Sequence, residues 1–478
     1  MTIALVMVLS ATASRAKDWR KATREIYRTR SASLLHHLPA LTGEHRALII
    51  LAAFADKDFS SSDAQAVWND IANRPGYDEH GAAGSVSDYF AEQSGGKFRI
   101  SFDVVGPVKL PEPYAFYGGN VGEQDEHPQQ MIVDACLAVD GEVDFSHYDW
   151  NGDGEVEMVF VLYAGMGEND GGDSDTVWPH MYYLYGKSLR LDGVVVNTYA
   201  CANEVAGDGT SLSGLGTICH EFSHCLGLPD MYENTGEPVL DEWELMDGGN
   251  YANNGWCPPN YSAYEKYLCG WLEPEELTAP ATITAMASSA EEGKAYLIRS
   301  NSDAREFYIL ENRQWSGWDT YLPGHGLLIT HITNHTTTWA NFPNTTSHHS
   351  INYVFADGLD YKASEKASSQ RYNAEGRSNY LSGAAYPYMA NDALTADSHP
   401  RNTLGKDITD IKEDGGCISF KYMGGEPSGI SSPADAPRPV SVYDLNGRSL
   451  SVESLSSAPP SVYLVRYSDG TVRKVLVR

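Results

Sequence analysis

Residues Thr217–Glu233 read TICHEFSHCLGLPDMYE, and the understanding of the whole chain starts from this stretch. His220, Glu221 and His224 form an H-E-x-x-H pattern. On a helix, His220 and His224 lie one turn apart on one face, so both imidazoles can reach a single ion. Glu221 lies about 100° around the helix, close enough to hydrogen-bond a water on that ion. Leu215, Ile218, Phe222, Cys225 and Leu226 cluster on the opposite side. Ser213, Gly216, Thr217 and Gly227 lie on the histidine side and are small. The spacing predicts a helix over Leu212–Leu226, one face on a core and the other open to an ion and a substrate. Five residues alone would fit two surface histidines equally well, but the continuation is specific. Gly227 can take the left-handed conformation of a sharp exit turn. Pro229 stops the helix from resuming, and Asp230 brings back a carboxylate at the sixth position after His224. Two imidazoles, one carboxylate and an open position make a catalytic rather than a structural zinc site. Glu233, nine positions after His224, is the alternative third ligand.

Downstream, Trp243–Gly249 reads WELMDGG and puts Met246 in a tight turn. Zinc peptidases of the metzincin type place such a methionine beneath the metal. In a site of this kind zinc lowers the pKa of its water and polarises the scissile carbonyl, and Glu221 moves the proton from water to leaving amine. Tyr251 is the nearest tyrosine able to stabilise the oxyanion; ordinary packing is its alternative role.

Upstream, Arg46–Ala55 (RALIILAAFA) reads as a buried strand. Ser62–Asn73 has helical spacing, with Ala64, Val67, Trp68 and Ile71 on one side. Ser85–Gly95 predicts a second short helix, Lys97–Val105 a strand, Gln129–Val139 a helix and Met158–Tyr163 an apolar strand. Leu189–Leu191 and Val194–Tyr199 flank Asp192-Gly193, a hairpin signal. Residues 45–279 therefore read as one α+β catalytic domain. From residue 280 the texture changes to short apolar runs between turn-rich stretches, a mostly β region through 425. Residues 426–439 (EPSGISSPADAPRP) read as a linker. Val440–Arg478 has three strand-like runs with Asn446-Gly447 and Asp469-Gly470 turns, a small C-terminal β module.

These segments together resemble the immune inhibitor A family of secreted bacterial zinc metallopeptidases, metzincin-like enzymes with an HExxHxxGxxD site. The matching stretches are Arg46–Phe59 (RALIILAAFADKDF), Gly84–Gly106 (GSVSDYFAEQSGGKFRISFDVVG), His220–Asp230 and Trp243–Trp271, which ends in SAYEKYLCGW. Tyr308–Ile332 is similar to the β-rich part that follows the catalytic domain in that family. The resemblance implies a zincin-like fold and protein or peptide substrates. It also implies a cleft-lining strand just before the zinc helix, here Val194–Tyr199, with which an extended substrate pairs by β-addition. The tail, with its VYDLNGR turn, VYLVRYSDG strand and basic β-branched end, resembles the C-terminal sorting domain of the type IX secretion system. That resemblance implies export through the periplasm to the medium or cell surface, with the secretion machinery as a partner.

Composition agrees with an exported protein. Asp plus Glu number 64 against 34 Lys plus Arg, a net charge of −30 over 478 residues, which argues against nucleic acid as a partner. No internal stretch approaches the roughly 18 apolar residues that span a bilayer. Residues 1–16, with the apolar run Ile3–Ala13, read as a signal peptide, the alternative being a buried first strand or helix. Residues 17–44 read as an N-terminal or pro segment. The seven cysteines (Cys136, Cys201, Cys219, Cys225, Cys257, Cys269, Cys417) form no metal knuckle, and their pairing is not legible. Asp149–Glu157 follows D-x-N-x-D-G-x-x-E, so Asp149, Asn151, Asp153 and Glu157 are read as a calcium site, a second cofactor beside zinc. An Asx-type surface turn is the alternative. His325, His331, His348 and His349 read as structural. The expected function is a secreted zinc endopeptidase. The rival is a catalytically inactive exported binding or adhesion protein that keeps the zinc site.

Overall fold

The computed structural model describes residues 41–122, 124–184, 186, 189–292, 294–333, 343–359, 381–425, 439–443, 449–450, 461–467 and 472–477. The expected signal peptide, nearly all of the 17–44 segment and all but the last residue of the linker lie outside these residues.

The run RALIILAA forms most of the first strand, β1 (Gly43–Ala53), every residue of which is buried from Ala47 onward. It begins three residues before the expected Arg46. Burial on both faces is what a parallel central strand requires. β1 lies between β2 (Phe98–Lys109) and β3 (Val159–Met166), parallel to both. After β3 come β7 (Thr198–Val205), also parallel, and β4 (His180–Tyr183), an antiparallel edge. Alternation along β1 divides the interior. Ala47, Ile49 and Leu51 face one core and Leu48, Ile50 and Ala52 the other. The first core takes α1 (Ala64–Asn73), through Trp68 and Ile71, and α2 (Val86–Gln93), through Tyr89 and Phe90. Ser85 and Asp88 close a capping box at the start of α2. A short helix, α3 (Tyr114–Gly118), precedes α4 (Pro128–Val139), which covers the second core with Met131, Ile132 and Ala135.

The histidine-bearing helix, α5 (Gly216–Cys225), packs on the first core. The Phe222 ring sits 4.8 Å from Phe90 and 5.5 Å from Phe102. Leu215, Ile218, Phe222 and Leu226 enter this core as their spacing predicts. The helix is shorter than the expected Leu212–Leu226. Leu212 bridges back to Val205, Ser213 N–H bonds Glu204 O, and Gly214 turns the chain at φ 77°.

The expected single strand Val194–Tyr199 is two strands. Asp192 and Gly193, both at positive φ, turn β5 (Leu189–Leu191) into β6 (Val194–Val196). Asn197, whose carbonyl takes Leu184 N–H and whose amide bonds Glu155, breaks the run before β7. β7 is therefore internal, and the edge of the main sheet on this side is β4, β2 being the other edge.

The β-rich region holds two sheets. One has the order β15-β12-β11-β10-β8, with β8 (Glu275–Glu276), β10 (Ala295–Arg299), β11 (Glu306–Arg313), β12 (Gly326–Thr333) and β15 (Ile351–Tyr353). The other has β16 (Ile408–Asp414), β17 (Cys417–Tyr422) and β9 (Ala281–Met286). β13 (Asn344–Thr345) and β14 (His348–His349) form a small ladder of their own. Two further short helices, α6 (Ala263–Leu268) and α7 (Ser289–Glu292), flank the strands. On β11, Phe307 and Ile309 join the first core of the preceding region, while Tyr308 and Leu310 face the core shared with the three-stranded sheet. Residues 45–279 and 280–425, read from sequence as consecutive units, thus share one core. The tail forms an antiparallel sheet of order β19-β18-β20-β21, from β18 (Pro439–Tyr443), β19 (Ser449–Leu450), β20 (Ser461–Tyr467) and β21 (Val472–Val477). The three expected strands are there, with β19 added. No described helix is long and apolar enough to cross a membrane.

Candidate metal centre

α5 ends in a Schellman turn. Leu228 N–H reaches Ser223 O at 3.1 Å and Gly227 N–H reaches His224 O at 2.9 Å, with Gly227 at φ 103°. This reversal carries the Leu228 carbonyl back to His224 Nδ1, 2.8 Å away, and delivers Asp230 to the histidine face. His220 Nδ1 bonds Leu245 O at 2.8 Å. A carbonyl only accepts, so each Nδ1 carries the hydrogen and each Nε2 presents a lone pair. Both Nε2 atoms face Asp230 Oδ1, at 3.3 Å from His220 and 3.1 Å from His224. Asp230 Oδ1 is buried and has no hydrogen-bond donor of its own. Among the described residues, His220, His224 and Asp230 are the only group of three such side chains whose donor atoms all lie within 4.8 Å of one another. Three such atoms turned on one point could hold a cation, a metal ion or a proton, between them. The nitrogen–oxygen donor set suits zinc.

The surrounding charges follow from the same geometry. Before a metal binds, a proton can fill the same place: burial works against a charged His224, but the Asp230 carboxylate outweighs it and lifts the imidazole to about 9, so a bound metal would displace that proton and leave Nε2 as the acceptor described above. Asp230, though buried, is held well below the usual carboxylate range by the two histidines. Burial raises Glu221; the two histidines and the Met181 N–H of the edge strand pull it down, and Asp230 pushes it up.

Met246 is fully buried in its turn. The turn's backbone does the holding: Leu245 O orients His220, and Met246 O takes Met231 N–H at 2.7 Å, next to Asp230. Asp247 staples the turn by accepting Val239 and Leu240 N–H at 2.9 and 2.8 Å. Burial, with Asp241 adding to it, pushes the Asp247 carboxyl up to about 7.

Tyr251 follows on a 3-10 turn, Gly248–Tyr251. Its side chain is half-exposed, and its phenol senses the Glu221 charge. Glu233, the alternative third ligand, lies outside the group. It is fully buried, its carboxylate bonded to His349 Nε2 at 2.8 Å. His325 and His331 likewise pair with Glu413 and Glu306, and His348 bonds Thr333, in keeping with structural roles.

The loop expected to bind calcium is laced by Asx-type hydrogen bonds. Asp149 accepts the N–H groups of Gly152 (2.7 Å) and Gly154 (2.9 Å), Asn151 that of Asp153 (2.8 Å), Asp153 that of Glu155 (2.9 Å) and Glu157 that of Trp150 (2.6 Å). The carboxylates of Asp149, Asp153 and Glu157 do not converge as the zinc-type group does. None of the seven cysteines is joined in a disulfide in this structure.

Sequence reading missed the carbonyls of Leu245 and Leu228, the Met181 N–H and Asn169, whose amide reaches Tyr251. Backbone groups leave no side-chain signature, and Asn169 stands 82 residues from its partner.

Residues 41–271 match the model of the immune inhibitor A peptidase M6 family, catalytic domain. The chain is 28% identical over 214 residues to immune inhibitor A of Bacillus thuringiensis subsp. alesti, covering 38% of this chain and 31% of that protein. It is 28% identical over 231 residues to the pre-pro-metalloprotease PrtV of Vibrio cholerae, covering 41% of this chain and 25% of that protein. The chain thus spans a third or less of the length of these relatives.

Proposed function

We propose that this protein is a secreted zinc-dependent endopeptidase. The observation that carries the reading is the convergence of His220 Nε2, His224 Nε2 and Asp230 Oδ1 beside a buried glutamate. The match of residues 41–271 to a peptidase family supports it, as does a relative named as a metalloprotease. Bound zinc would supply Lewis acidity toward a substrate carbonyl and a lowered water pKa.

The chain's own groups do the rest. Glu221 accepts a proton at a carboxylate oxygen from the attacking water and returns it to the leaving amine. Glu221 is buried beside the two histidines. The Tyr251 hydroxyl donates toward the carbonyl oxygen as negative charge develops there. An extended substrate pairs with the outer edge of β4, which lies beside α5.

Replacing Glu221 by Ala should keep bound zinc yet lower turnover of casein or gelatin by roughly 10²–10⁴. His220→Ala or His224→Ala should lose both metal and activity. Full activity in the Glu221→Ala protein would refute the mechanism. For the tail we propose the sorting role: deleting residues 440–478 should leave zinc binding and peptidase activity intact while trapping the protein in the periplasm. Normal secretion of the deletion would exclude that role.

A further inference from the structure

Tyr251 is gripped from two sides. Its own turn is fixed against α5, because Gly216 leaves no room for a side chain against the Asn250 carbonyl. From the other side comes the loop Gly167–Gly172, which runs on toward the edge strand β4. Asn169 Nδ2 donates to the Tyr251 phenol oxygen at 3.0 Å. The loop that carries Asn169 is itself anchored. Gly172 N–H bonds Gly167 O at 2.9 Å, and Asp170 Oδ2 accepts Gly207 N–H at 2.7 Å. A Cβ on Gly167 would collide with Asn169 Oδ1, with the Tyr163 hydroxyl and with Asn203. The amide therefore has one place to be.

A phenol oxygen offers two acceptor positions and one proton. Asn169 takes one acceptor position. With that donor in place the phenol's own hydrogen is directed away from the Asn169 amide. No described residue accepts it. We propose that Asn169 is a positioning residue: it fixes the Tyr251 ring and turns the phenol hydrogen toward the open side of the metal centre, where it can meet a developing oxyanion. This rests on the peptidase reading above and deepens it. The gain is preorganisation, since a donor already aimed at the site of developing charge needs no reorganisation during the reaction.

The test uses the full-length, zinc-loaded chain as wild type, Asn169→Ala, Asn169→Asp, Tyr251→Phe and the Asn169→Ala/Tyr251→Phe double variant. Kinetics on a peptide substrate, bound zinc, and the titration of Tyr251 followed by NMR of ring-labelled tyrosine are read together. Losing an oxyanion donor outright lowers kcat about 10²–10³-fold, so loss of its aim in Asn169→Ala is expected to lower kcat about tenfold. KM and bound zinc should stay unchanged, and the Tyr251 phenol should titrate at higher pH. In the Tyr251→Phe background the same change should add nothing. Asn169→Asp should be worse than Ala, because a carboxylate takes the phenol hydrogen for itself. An unshifted phenol titration in Asn169→Ala, or an equal loss of kcat with and without Tyr251, would overturn the proposal. A wild-type protein that cleaves no peptide would sink the peptidase reading instead, and the titration alone would then decide the Asn169 contact.

Discussion

Asp247 is a carboxyl that the fold keeps close to neutrality. Its folded value, about 7 against an ordinary 3.8, comes first from burial and then from Asp241. A carboxyl raised in the folded state binds its proton more tightly there than in the unfolded chain. The stability it contributes is present at low pH and is lost as the pH rises from its unfolded value through about 7. The full swing is on the order of 4 kcal/mol at 1.36 kcal/mol per pKa unit. Asp247→Asn keeps a carbonyl to accept Val239 and Leu240 N–H but cannot ionise. Its melting temperature should gain on the wild type as the pH is raised from about 4 to about 8 and then level off. A difference independent of pH would show that Asp247 is not protonated in the folded protein. At this scale the three side chains that the fold brings together, His220, His224 and Asp230, were legible in the sequence. His220 and His224 are set by helical spacing, and Gly227 with Pro229 marks where the chain must return. The groups that orient them were not, because a carbonyl has no residue type and Leu245 lies 25 positions from His220.

The ladder β13–β14 reaches the metal loop from more than a hundred residues away. Asn344 Nδ2 bonds Met231 O at 2.6 Å, its carbonyl takes Asn234 N–H at 3.2 Å, and His349 pairs with the buried Glu233. Asp230 is therefore braced by an element that carries none of the donors. Asn344→Ala should destabilise the fold by about 1–3 kcal/mol, since it strips a partner from a buried carbonyl. It should also weaken zinc binding with the donor set intact, measured as metal retained against a graded chelator. Unchanged retention would mean that the loop holds its shape unaided. Strand and helix existence was readable here because the apolar runs are long or periodic, as in β1 and α1. The division of β6 from β7 was not, because Asn197 sits inside a run that continues the pattern on both sides. The edge strand β4 is four residues, only one of them buried, and gives almost no pattern.

At the scale of the whole molecule, one core among the described residues runs from Ala47 to Ala385. Trp243, beside the Met246 turn, donates from its indole to Leu381 O, and Tyr353 bonds the buried Glu244. Arg313, fully buried, pairs with Asp319 at 2.7 Å and reaches Asn260 O. A chain ending at residue 279 should therefore be poorly soluble and retain no zinc, whereas one ending at residue 425 should melt cooperatively, bind zinc and cleave peptide. A soluble, active protein ending at 279 would show that the shared core is dispensable. The turn-rich texture after residue 280 reads as a boundary because strand spacing is local. Sharing could be inferred only from β11, where seven consecutive residues are buried and neither face is left for water. This continuity also sets a clock. A chain made or exported from its first residue presents its histidines long before Asn344, Tyr353 and Leu381 exist to brace them, and contacts this distant in sequence form late. The peptidase activity proposed above would then begin only once residue 385 is in place.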